Sequence, residues 1–104
     1  MTKEFDYKEF CIRQIEWYKK QNEFEQKQIG WINEDIKRER ARLKEMVEYI
    51  WSKGVLTEMD YRMVQKGYET VDLKRYKNQR ARYYRNIKSN NKRIAEYEAR
   101  LAKH

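Results

Sequence analysis

The chain has 104 residues, too few for a multilayered catalytic core, and its 25 lysines and arginines against 17 aspartates and glutamates give a net charge of +8. Leu, Ile, Val and Phe supply only 19 residues, a content at which highly charged chains are often disordered, but nine Tyr and three Trp offer large rings that replace aliphatic burial. The absence of proline and the presence of only three glycines favour long, uninterrupted helices.

The opening stretch "MTKEFDYKEF" lacks the basic start and apolar run of a signal peptide. No apolar run approaches the ~18 residues of a membrane span. The one cysteine, Cys11, has no internal disulfide partner and no Cys or His at ligand spacing, which suits a reducing compartment. A cytoplasmic protein without membrane association is expected.

From Cys11 the positions Ile15, Tyr18, Asn22, Glu25, Ile29, Ile32, Ile36, Glu39, Leu43, Met46 and Ile50 follow in steps of four and three. This is a heptad seam with polar residues at three of its twelve positions. It predicts a first helical arm over about residues 7–51. Gly30 inside it costs about 1 kcal/mol relative to alanine, enough to mark a bend but not to end the helix. Beside the seam, Phe10, Trp17, Phe24 and Trp31 recur every seven residues. They form an aromatic stripe available to the second arm, to a second copy of the chain in a homo-oligomer, or to a protein partner.

The segment "WSKGVLTEMDY" predicts a turn over 52–57. Gly54 supplies a left-handed C-terminal cap, and Thr57 with Asp60 supplies an N-terminal capping box. Gly54, Val55, Leu56, Thr57, Asp60 and Tyr61 resemble the turn of SHOCT-type segments, and that resemblance implies two short helices joined across residues 46–68.

A second arm is expected over about 58–103. Its seam reads Tyr76, Arg80, Tyr83, Ile87, Asn90, Ile94, Tyr97 and Leu101. Tyr61, Val64, Tyr68 and Val71 are in step with each other but one residue out of phase with Tyr76. The slip predicts a stutter or a break near 70–73, which would give three helices. Folding at the turn places residue i opposite about 110 − i. Ile50 then meets Tyr61, Met46 meets Val64, Ile36 meets Tyr76, Ile29 meets Tyr83, and Asn22 falls within a turn of Asn90. The expected fold is one all-α domain over 1–104, a long antiparallel helical hairpin with coiled-coil-like packing.

Charge is unevenly distributed along this arm. Residues 73–95 hold nine basic side chains and no acid, and they carry the whole net charge. On a helix, Lys74, Lys77, Arg85, Lys88 and Lys92 form a stripe opposite the seam, about 27 Å long. Arg75, Arg82 and Arg93 flank it, and Asn78, Gln79, Asn86, Asn90 and Asn91 add neutral donors. Tyr83 or Tyr84, if exposed, could stack on unpaired bases. The opposing arm has about one net negative charge to offer, so internal pairing leaves most of these cations unneutralised. The candidate nucleic-acid-binding residues are therefore Lys74, Arg75, Lys77, Arg82, Arg85, Lys88, Lys92 and Arg93. An acidic protein surface or a solvated helix face are the other readings of the same charges.

Nothing points to catalysis. The single histidine is His104 at the end of the chain, and there is no glycine-rich phosphate loop, no Cys and His cluster and no His-x-x-x-His pair. No metal or cofactor is expected. The sequence suggests a non-enzymatic helical protein that engages nucleic acid or a nucleoprotein complex through its basic helix. The Lys, Glu, Tyr and Asn-rich texture also resembles small helical proteins of phages and mobile elements. That resemblance implies an alternative, an adaptor or inhibitor that acts through Phe10, Trp17, Phe24 and Trp31 on a host nucleic-acid machine.

Overall fold

A computed structural model describes residues 5–54, 57–65 and 68–103. The protein is all-α, with α1 over Tyr7–Lys53, α2 over Glu58–Val64 and α3 over Val71–Ala102. Asp6 starts α1 by accepting the Glu9 N–H at 3.2 Å on its side chain. The helix runs unbroken through Gly30 and ends where Gly54 takes the left-handed φ of +85° that any L side chain would strain. Val55 and Leu56 of the turn signature lie outside the described residues. Thr57 then opens α2 with the expected box: its Oγ1 accepts the Asp60 N–H at 3.1 Å, and Asp60 Oδ2 accepts the Thr57 N–H at 3.2 Å.

The second arm is two helices, and the interruption comes slightly earlier than the slip in phase indicated. Gln65 leaves α2 in extended backbone, and α3 begins at Val71 with Thr70 as its cap, Thr70 Oγ1 accepting the Leu73 N–H at 3.0 Å. The out-of-phase set is explained by this break. Val71 is 86 % exposed and Tyr61 56 % exposed, so neither is a seam residue, whereas Leu73, in step with Tyr76, is buried. The expected contact of Ile50 with Tyr61 is replaced by Met63, which is half-buried and shares a groove with Met46 and Ile50.

The chain divides into two units, a central one over Gly30–Arg80 and a terminal one made of Met1–Ile29 with Ala81–His104. In the central unit Ile32, Ile36, Leu43 and Ile50 of α1 are buried together with Leu73 of α3. Arg80 donates to Asn33 Oδ1 at 2.9 Å. Glu39, a seam carboxylate, is buried but well satisfied: Arg42 grips it with Nη2 at 2.6 Å and Nε at 3.2 Å, and the Thr70 hydroxyl donates to it at 3.0 Å. Above all the Arg42 hydrogen bond, and after it Thr70, hold this carboxyl below its usual pKa against the opposing effect of burial.

In the terminal unit Cys11, Ile15 and Ile29 of α1 are buried with Ile94 of α3. Tyr97 receives the Phe10 ring edge-on at 6.1 Å and stacks with Tyr18 at 6.3 Å. Asn22 Nδ2 donates to Asn91 Oδ1 at 2.8 Å, so its amide partner lies one residue beyond the expected Asn90. In both units the partner in the second arm moves back along the chain as its partner in α1 moves forward, which is the antiparallel pairing of a helical hairpin.

Three outcomes follow from the two helix caps and Glu39. Thr70→Ala removes a helix cap and a hydrogen bond to a buried carboxylate at once, and is expected to lower global stability by about 1 to 3 kcal/mol. Thr57→Ala removes the cap of a helix that buries no residue, and its cost, about 0.5 to 2 kcal/mol, should appear mainly as faster amide exchange within α2. Equal melting shifts for the two variants would contradict this. Because the folded-state pKa of Glu39 is depressed, its ionised form contributes stability above the ordinary carboxylate value of 4.5, and that contribution is lost as pH falls through the lower folded value. The stability gap between wild type and Glu39→Gln, measured by urea denaturation, should be widest near neutrality and close on acidification.

Candidate nucleic-acid interface

The seam of α3 decides which of its side chains meet solvent. Ile94 is buried, and Tyr76, Arg80, Tyr83, Ile87, Asn90, Tyr97 and Leu101 are half-buried, so the side of the helix away from them carries the cations. The eight basic residues singled out by the sequence do not share one environment. In the central unit Lys77 is half-buried and bonded to Glu69, whose carboxyl is held low chiefly by that bond. Arg75 pairs with Asp72 at 3.4 Å and lies over the Tyr76 ring. Lys74 is exposed and has no ion pair among the described residues.

In the terminal unit Arg93 is exposed and pairs with Glu96 at 3.5 Å. Arg82, Arg85, Lys88 and Lys92 are exposed and make no ion pair or hydrogen bond among the described residues. Steps of three and four residues put Arg85, Lys88 and Lys92 on one face, spanning about 10 Å along the axis, with Arg82 at its flank. A shallow depression on this face is lined by Arg85, Lys88, Ser89, Asn91 and Lys92, with no acid among them.

The α1 segment of the same unit does not neutralise this face. Of its acids, Glu9 is taken by Arg13 at 2.5 Å, and Glu25 is buried where Asn86 Nδ2 reaches it at 3.4 Å. Glu16 and Glu23 remain, beside Lys8, Lys19, Lys20 and Lys27. Counted over the sequence, Met1–Ile29 holds six acids and six bases, whereas Ala81–His104 holds two acids and seven bases. The positive excess of this unit therefore lies on its α3 segment. Ser89 was not among the sequence candidates, whereas Asn91 was named as a neutral donor and Tyr84 as a ring that could stack if exposed. Of the two tyrosines it is Tyr84, just after the seam residue Tyr83 and therefore off the seam, that is exposed, at 49 %.

The aromatic series also separates by environment. Phe10 is half-buried, with Phe5 at 5.5 Å, Tyr7 at 6.4 Å and Tyr97 at 6.1 Å. Trp17 and Phe24 in the terminal unit, at 53 % and 52 %, and Trp31 in the central unit, at 62 %, are exposed. Among the described residues no group of three or more His, Cys, Asp or Glu could hold a metal ion, and no helix is long and apolar enough to cross a membrane.

Set beside known proteins, the chain matches no family model, no curated protein and no solved structure.

The two aromatic environments give distinct expectations in chemical denaturation. Phe10→Ala should cost about 1 to 2 kcal/mol through lost ring packing. Trp17→Ala and Phe24→Ala should stay within about 0.5 kcal/mol, as exposed substitutions do. A loss at Trp17 or Phe24 equal to that at Phe10 would place those rings in the core.

Proposed function

We propose that the protein acts by binding and not by catalysis, and that it engages nucleic acid, free or within a nucleoprotein, through Arg82, Arg85, Lys88 and Lys92 on α3. The reading is carried by one observation: these four exposed cations have no acidic partner among the described residues, in a stretch that contains no acid. Phosphate is the ligand that suits them. It is the densest array of negative charge a short basic helix can meet, and Ser89 and Asn91 beside them supply neutral donors for phosphate oxygens. Arginines carry bidentate contacts and lysines carry point charges, so the set combines orientation with attraction.

A second reading is favoured by the exposure of Trp17 and Phe24. Large rings held outward on a helix are the side chains that anchor protein interfaces. On that reading the protein is an adaptor or inhibitor of the kind mobile elements encode. Its aromatic face holds a host protein, and the basic helix approaches nucleic acid already bound to that partner.

Replacing Arg82, Arg85, Lys88 and Lys92 by glutamine should leave folding nearly intact and weaken binding to a labelled DNA duplex. The slope of log affinity against log salt should shrink by about 0.9 for each phosphate contact removed, alike for unrelated sequences. Full affinity with an unchanged slope would reduce this face to a solvated surface. Capture of a protein that survives nuclease treatment and is lost on Trp17→Ala with Phe24→Ala would favour the second reading.

A further inference from the structure

Tyr84 occupies an unusual place for an aromatic side chain. It lies one turn before Lys88 and two turns before Asn91 on the same side of α3, and Arg85 follows it directly. Ala81, one turn toward the N-terminus, is too small to cover the ring. Among the described residues Tyr84 makes no ring contact, cation contact or hydrogen bond. Tyr76 and Tyr97, by contrast, are each covered by an arginine, at 5.5 Å and 5.1 Å, and Tyr97 is also packed by Phe10. Tyr83, its neighbour in sequence, turns into the seam and is half-buried. An open aromatic face therefore borders an acid-free depression lined by Arg85, Lys88 and Lys92.

We infer that this surface takes single-stranded nucleic acid, with an unpaired base stacked on Tyr84 and the adjoining phosphates held by Arg85, Lys88 and Lys92. The inference rests on the phosphate-binding reading of α3 and specifies its ligand. In a duplex the base faces are already covered by their neighbours, so a ring surrounded by phosphate-binding cations would meet only backbone. In a single strand the base is free to leave the stack, and every base offers a π face of the size of the tyrosine ring. Arg85 and Lys88 are close enough in sequence to reach phosphates on either side of a base placed there, since one helical turn advances about 5.4 Å. Ser89 and Asn91 contribute hydrogen bonds with no strong preference among bases, so a sequence-tolerant mode is expected.

The test is fluorescence anisotropy at one fixed salt concentration with labelled oligothymidine, oligouridine and a mixed-sequence DNA duplex, using the full chain. Wild type is expected to bind at least one of the single strands more tightly than the duplex. The preferred strand identifies whether DNA or RNA is the source of the ligand. Tyr84→Ala should weaken single-strand binding by about 5-fold or more, in line with the loss of one base–aromatic stack. Duplex binding should stay within about 2-fold. Tyr84→Phe, which keeps the ring and removes the hydroxyl, should retain nearly wild-type affinity. Alanine at an exposed helical position favours the helix, and an unchanged circular dichroism spectrum will show that Tyr84→Ala is folded. If Tyr84→Ala leaves single-strand affinity unchanged, or weakens single strand and duplex alike, the stacking site is wrong while the phosphate-binding reading stands. If no oligonucleotide binds, both fall.

Discussion

The seam along α1 is the constraint from which the other features follow. A helix of 47 residues with apolar side chains at 3,4 spacing must cover one narrow stripe along its length, or leave a row of isoleucines in water. Nine of the twelve seam positions are buried and Tyr18, Asn22 and Met46 are half-buried. The partners that cover it are thereby committed: Leu73 in the central unit, Ile94 and Tyr97 in the terminal one. Once Tyr83, Ile87 and Ile94 turn toward α1, helical geometry leaves Arg85, Lys88 and Lys92 on the water side. The charged face is thus a by-product of burial on the other side of the same helix.

The polar residues in the seam are handled unequally. Glu39 is fully engaged by Arg42 and Thr70, and it ties α1 to the start of α3 in the central unit. Asn22 and Glu25 are less well served. Their partners Asn91 and Asn86 satisfy only part of each side chain, and Asn22 Oδ1 and Glu25 Oε2 are buried without a partner among the described residues. Such a layer costs stability relative to an apolar one but penalises slipped pairings still more, because a shift would bury these groups against Ile or Tyr.

Much of this was legible in the sequence because it depends on local spacing. The α1 seam, the left-handed Gly54 and the Thr57 capping box could all be read from residue type and interval, and the antiparallel pairing followed from the position of the turn. The extent of the second arm could not. Tyr61, Val64, Tyr68 and Val71 are spaced like a buried face, yet Val71 and Tyr61 are exposed. The deciding facts were a cap at Thr70 and the burial of Leu73, and the cap is fixed in part by Glu39, 31 positions away in sequence. Of the basic residues, position on the helix placed Lys74, Arg85, Lys88 and Lys92 correctly in solvent, but Lys77 of the same stripe is half-buried and drawn to Glu69, and Arg93 is paired with Glu96. The Lys77 pairing joins residues eight positions apart, across the Thr70 cap and beyond the period of the helix, and the Arg93 pairing, though at i,i+3 spacing, depends on the rotamers the two side chains adopt. Tyr84 was distinguishable from Tyr83 by phase alone.

The antiparallel pairing also imposes an order on assembly. The hydrogen bonds that join α1 to the second arm span 31, 47, 61 and 69 positions, for Glu39 with Thr70, Asn33 with Arg80, Glu25 with Asn86 and Asn22 with Asn91. Closing a long loop of free chain costs entropy that grows with the logarithm of its length, but a contact made next to one already closed needs only a short segment to be fixed. The arms therefore join like a zipper from the Gly54 end. The contacts around Asn22 and Asn91, beside the cations, come late in that sequence. They are also the first to open when the arms fray.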